Sequence, residues 1–267
     1  MKILISFLII AAVSAYADDV SETFHAETPR EFAAHSGGPV WNGPKNVLFH
    51  NGPWKNRDGT GWHGSDESIM QDWATTYGYS FQKTKKYMLA DDFEIPAGET
   101  WTIESITFAG YQTGSGTSST INGMFVVVYD DPPTTGTVVA GDISANIFTS
   151  SQWTQIYRVA DSTSGSNSDR PIMANTAVLS EPWVLDDGTY WISIQADGTI
   201  SPGPYHPPVV IWDQRNTGNA IRSVDGGVIW RPVSNNGYAQ GLCIVLEGTT
   251  GGGALEQETW GAIKGLF

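Results

Sequence analysis

The side chains that could do chemistry in this chain are few and poorly matched to one another. Glu94, Glu104, Glu181 and Glu247 are the acids a glycoside hydrolase would draw on. That reaction needs two carboxylates about 5–10 Å apart, flanking one bond. Each of these glutamates neighbours a turn or alternates onto a solvent-facing strand position, and no spacing singles out a pair. A serine nucleophile would want Gly-x-Ser-x-Gly between a strand and a helix. Gly114-Ser115-Gly116 and Gly165-Ser166-Asn167-Ser168 are glycine loops without that setting. His25, His35, His50, His63 and His206 are scattered, with no His-Glu-x-x-His, which argues against transition-metal chemistry.

Acidic doublets are the better metal candidates: Asp91-Asp92, Asp130-Asp131 and Asp186-Asp187. Calcium takes six to eight oxygens and draws them readily from loop carboxylates and carbonyls. In Ala90-Asp91-Asp92-Phe93, strand alternation sends the two carboxylates to opposite faces, so at most one points inward. An inward aspartate needs a cation or several backbone donors to offset its lost hydration. Asp91 and Asp92 are therefore the candidate ligands of a structural calcium, and solvated turn aspartates are the alternative.

Eleven tryptophans exceed what one core requires. Trp101, Trp183 and Trp191 lie in strand patterns and read as core. Trp41, Trp54, Trp62 and Trp73 lie in irregular sequence rich in Gly and Asn. Flat rings beside amides and acids grip sugars, because sugar C–H faces stack while hydroxyls need hydrogen-bonding partners. The segment Ser201-Pro202-Gly203-Pro204-Tyr205-His206-Pro207-Pro208 is expected to present Tyr205 and His206 on a stiffened hairpin tip, with Trp212 and Trp230 flanking it in sequence. The candidate ligand contacts are thus Trp62, Tyr205, His206, Trp212 and Trp230. The competing reading is that such rings plug the ends of the fold.

The elements that must position these groups are strands. Residues 86–95 stop at Pro96-Ala97-Gly98, and residues 101–111 alternate. Residues 124–129 (MFVVVY) form the short apolar run of a strand buried on both faces. Further strands are expected at 137–140, 155–159, 177–179, 183–185, 189–195, 209–213, 220–223, 228–231 and 242–247. Ser65-Asp66-Glu67-Ser68 could cap a short helix over residues 69–73. No fixed-period repeat argues for a propeller or a β-helix. The expected fold is all-β, an antiparallel two-sheet β-sandwich of jelly-roll type over residues 47–248. A weakly patterned arm (18–46) precedes it. A Gly-rich linker (249–253) and a tail (254–267) follow it.

Charge and composition exclude several partners. Lys and Arg number 14 against 28 Asp and Glu, for a net charge of −14, so the electrostatics of a nucleic-acid partner are missing. A single cysteine excludes an internal disulfide, and Cys243, inside an apolar run, reads as a buried, inert thiol. Met1-Lys2, the apolar residues 3–13 and Ala15-Tyr16-Ala17 read as an export signal cleaved before Asp18, too short to span a bilayer. The mature chain keeps 13 basic and 28 acidic residues, a net of −15, and no other stretch apolar enough to cross a membrane. It is expected to be secreted, extracellular or at the cell surface.

Leu89-Ala90-Asp91-Asp92-Phe93, Pro96-Ala97-Gly98, Trp101-Thr102-Ile103 and Gly188-Thr189-Tyr190-Trp191 together resemble a domain recurrent in exported bacterial proteins. So do Val126-Val127-Val128-Tyr129-Asp130 and the last apolar strand ending at Gly248. The resemblance spans roughly residues 47–248 and implies an exported β-sandwich, but it transfers no catalytic residue. Trp260-Gly261-Ala262-Ile263-Lys264 resembles short C-terminal ends of such proteins. The expected role is non-catalytic, binding or structural, with an extracellular glycan or a cell-surface component as partner. The alternatives are an extracellular polysaccharide hydrolase, and a matrix or appendage component attached through its tail.

Overall fold

The computed structural model describes residues 20–24 and 38–251. The expected signal segment and the tail lie outside the described residues, as does part of the arm. In chain order the strands begin with β1 (Ser21–Thr23), β2 (Val47–His50), β3 (Asp66–Met70), β4 (Thr76–Ser80) and β5 (Met88–Gly110). β6 (Ile121–Tyr129), β7 (Val138–Asp142), β8 (Ser150–Ala160), β9 (Pro171–Gly198) and β10 (Tyr205–His206) follow. The last are β11 (Ile221–Ser223), β12 (Trp230–Pro232), β13 (Ser234–Asn235), β14 (Tyr238–Ala239) and β15 (Ile244–Gly251). The fold is all-β and sandwich-like, and no described helix is long and apolar enough to cross a membrane.

Two strands, β5 and β9, organise the rest. They pair antiparallel along nearly their whole lengths, yet their two halves have different neighbours. Residues 89–95 of β5 pair with residues 188–194 of β9, flanked by β11 on one side and β6 on the other. Residues 100–110 pair with residues 173–186, flanked by β15 and β8. One ribbon thus supplies the middle of two strand sets, β12-β11-β5-β9-β6-β7 and β2-β15-β5-β9-β8-β3. Between its halves residues 96–99 lie opposite Asp187 alone, where Gly98 adopts φ +83 and the chain can reverse its lean. Leu89, Phe93 and Ile95 from the first half enter the same core cluster as Trp101, Ile106 and Phe108 from the second.

Several expectations needed correction. The strands expected separately at 177–179, 183–185 and 189–195 are one element, β9. Residues 66–70 form strand β3 rather than the start of a helix, because they pair in parallel with β8 and bury Ser68 and Ile69. Pairing overrides the local capping signal. That parallel pair departs from the antiparallel sandwich expected, as do the isolated parallel bridges Val40–Trp153 and Gln82–Ala196. Residues 209–213 are irregular instead of a strand. Thr249, Thr250 and Gly251, expected in the linker, instead continue β15 opposite Thr102, Trp101 and Thr100, and residues 252–253 lie outside the described residues. The described pieces of the arm dock on the body: β1 pairs with β4, and Trp41 stacks on the buried Trp54 at 5.1 Å.

Gly248 shows how closely β15 is held. A Cβ there would sit 1.9 Å from the Thr102 carbonyl oxygen, a backbone atom that cannot swing away. Replacing Gly248 by Ala is expected to destabilise the fold by about 2 kcal/mol through overpacking. A thermal melt of the variant should show Tm lowered by roughly 4–8 °C.

Candidate functional site

Among the described residues a cleft combines in its lining the Trp73 ring, several amides and a guanidinium. It lies where three connections meet: residues 71–74 after β3, residues 208–217 after β10, and the β13–β14 hairpin with Gln240. Its open volume is about 240 Å³ including solvent at the mouth, while its enclosed part has room for about one water molecule. A ligand would therefore rest across the rim. No Asp or Glu is among the lining residues.

Each wall is fixed by identifiable bonds. The Gln71 side chain donates to the Ile211 carbonyl at 3.0 Å and accepts from the Asp213 N–H at 2.8 Å. This brace spans the turn that carries Trp212, whose ring is 45% exposed with the Arg57 guanidinium 4.8 Å from its centroid. Asn235 is buried and accepts from the Thr75 and Thr76 N–H groups, so β13 is held against the start of β4. Trp73 meets Tyr238 edge-on at 5.5 Å, and Asn236 donates to the Trp73 carbonyl. The Gln240 amide nitrogen donates to three backbone carbonyls and that of Gln214 to one, which leaves both amide oxygens as acceptors. The Trp73 indole N–H is buried and meets no acceptor among the described residues.

The floor is Arg158, 1% exposed. It stands on β8 and donates to the carbonyls of Tyr77, Thr76 and Ser68 and to the Ser68 hydroxyl. Burial lowers its pKa from the ordinary guanidinium value, and among the described residues no carboxylate lies within ion-pair distance of it. Backbone dipoles, with no anion, hold this charge.

The residues expected to form a site are placed apart. Tyr205 is 2% exposed and His206 is fully buried, in β10 against β4, so the expected exposed tip is an interior strand. Tyr205 lies 5.8 Å from Tyr111, and His206 packs edge-on against Phe81 at 5.6 Å. Burial holds the His206 pKa down at about 4, and its Nδ1–H donates to the Pro207 carbonyl at 2.7 Å. Apolar contacts on both neighbouring rings outweigh the turn propensity of the surrounding prolines. Trp62 sits half-buried on a 3-10 turn against the cluster of Ile69, Trp153 and Tyr157. Trp230, half-buried on β12, spends its indole N–H on the Gly227 carbonyl. Of the five, only Trp212 stands beside the cleft.

Asp91 faces inward, 1% exposed, and Asp92 is half-buried, as strand alternation requires. Asp91 accepts from the Leu242 N–H at 2.8 Å, from the Asn51 amide, and from the Asp92 N–H at 3.1 Å. Asp92 accepts from Asn219. These N–H donors offset part of the cost of burying Asp91, one of the two candidate calcium ligands. Among the described residues no three His, Cys, Asp or Glu side chains gather as metal ligands. Cys243 is fully buried, and burial pushes its thiol pKa up.

Gln71, Arg158, Asn235 and Gln240 escaped the sequence reading. One signal existed: Arg158 is the lone charge in the strand run Ile156-Tyr157-Arg158-Val159-Ala160. Compared with protein-family models, curated proteins and solved structures, the chain matches none.

Asp91 generates a pH dependence. Its burial, partly opposed by the Leu242 N–H, raises its pKa to about 7, far above the ordinary value. Between about pH 4 and 7 the folded state holds a proton that the unfolded state has released. Stability from this group therefore falls as pH rises through that window, by at most about 1.4 kcal/mol per unit. Asp91→Asn should melt with a flatter profile between pH 5 and 8 than the wild type. Parallel profiles would contradict the assignment.

Proposed function

We propose that the protein binds carbohydrate outside the cell, as a non-catalytic module, through the cleft beneath Trp73. The observation that carries this reading is the Trp73 ring beside the Gln214 and Gln240 amides on a shallow lining that holds no carboxylate. Trp73 and Tyr238 offer ring surface, with Trp212 braced alongside. Sugar C–H faces favour such rings, and sugar hydroxyls can donate to the exposed Gln214 amide oxygen at the rim. Glycoside hydrolysis would require paired acids at the ligand. Glu94, Glu104 and Glu181 are exposed on strands away from the lining, and Glu247 accepts from the Lys45 N–H and Ser105 hydroxyl. The N-terminal apolar segment supports an extracellular setting.

Titrating the mature chain with soluble glycans should change its tryptophan fluorescence and leave the glycan intact. Trp73→Ala and Tyr238→Ala should each weaken binding at least tenfold, about 1.4 kcal/mol, with an unchanged circular dichroism spectrum. Equal affinity in both variants would remove the cleft from the account, and release of reducing ends would make the protein a hydrolase.

A further inference from the structure

The described arginines divide by partner. Arg170 pairs with Glu22 at 2.9 Å, and Arg57 lies 3.9 Å from Asp161. Arg158, Arg215, Arg222 and Arg231 have no carboxylate within ion-pair distance among the described residues. Two of them border the cleft, and the other two lie on a hairpin bonded to it. Arg158 floors the cleft, and Arg215 at its rim donates to the Tyr238 hydroxyl and lies over that ring at 5.1 Å. The β11–β12 hairpin is joined to the cleft through Gln240, whose N–H donates to Val233 and whose carbonyl accepts from Ala220.

Two residues further along that hairpin, Arg222 and Arg231 stand directly opposite each other. Like charges facing across strands are destabilising, and in a chain of net charge −14 an acid partner would be easy to supply. Arg222 is half-buried, and the charges acting on it are those of Tyr79 and Arg231. The Tyr79 hydroxyl is the second observation: it is buried, has no hydrogen-bond partner among the described residues, and lies within electrostatic reach of both Arg158 and Arg222. Asp72 and Asp213 neighbour the cleft in sequence, but neither lines it.

We propose that the sugar chain taken by this cleft is anionic, and that its carboxylate or sulfate groups are met by Arg215 and by the Arg222–Arg231 pair. The proposal rests on the carbohydrate reading and adds the charge of the ligand. The negative net charge does not forbid it. Exposed charges are screened beyond about 8 Å at physiological salt, so the local arginines decide contact affinity. Arginine also suits these groups, since its planar fork matches carboxylate and sulfate oxygens two at a time.

Calorimetry of the mature chain with a neutral, a uronate-bearing and a sulfated oligosaccharide, each at low and at physiological salt, separates the possibilities. At least one acidic oligosaccharide should bind tenfold or more tighter than the neutral one, with affinity that falls as salt rises. Preference for the uronate or the sulfate identifies the anionic group. Arg222→Gln/Arg231→Gln should lose that preference and keep neutral-sugar affinity. Tight, salt-insensitive binding of the neutral oligosaccharide would overturn the charge and leave the sugar reading standing. Binding of polyglutamate with no binding of any sugar would overturn the sugar reading on which the proposal rests.

Discussion

The Arg158 guanidinium is the interaction on which both the fold's small sheet and its cleft depend. It stands on β8 of the large sheet, and its acceptors lie on β3 and at the start of β4. β4 in turn carries β1 and β10 on its two edges. This cation ties β4 to the body through carbonyl dipoles, beside the Glu22–Arg170 pair on β1 and the Tyr111–Tyr205 backbone bridge on β10. An ionised side chain removed from water costs several kcal/mol, and removing one partner of a buried pair costs about 3–5 kcal/mol. Distributing the charge over four oxygens avoids that dependence on one carboxylate. It also leaves a net positive charge at the cleft floor.

The architecture around that point follows from the β5–β9 ribbon. Because the same two strands run through both sets of neighbours, the two layers share their central pairing and their core. The ribbon was half legible in the sequence. The alternation of residues 101–111 and the apolar run of residues 124–129 gave β5 and β6 correctly in kind. The continuity did not show, because Pro96-Ala97-Gly98 and Asp186-Asp187-Gly188 look like chain reversals. In the structure the first is an excursion from a strand that resumes its pairing, and the second is bridged within β9. Turn chemistry specifies a local bend and is silent on whether pairing continues beyond it.

The site was less legible than the fold, and for a different physical reason. Rings were visible in sequence, but their burial was not. Tyr205 and His206 looked exposed because prolines surround them, whereas β-pairing with Ser80 and Tyr79 draws them inside. Asp91 was correctly read as an inward acid, but the donors that satisfy it come from Asn51 and Leu242, 40 and 151 residues away. The cleft residue Gln71 lies about 165 residues before Asn235 in β13 and Gln240 just after β14, and the three share no local pattern. Only Arg158, a charge in a buried strand, carried a signal, because such a residue must have acceptors supplied from elsewhere.

What emerges is a rigid all-β body whose loops converge over a buried, carboxylate-free guanidinium, with an aromatic rim and amide acceptors above it. The most direct test is NMR titration of the labelled mature chain with an acidic oligosaccharide, following indole and guanidinium N–H signals. The account predicts that the Trp73 indole and the Arg158 Nε–H shift together and saturate with one dissociation constant. Shifts confined to Trp62 or Trp230, with Trp73 and Arg158 unmoved at saturation, would contradict it.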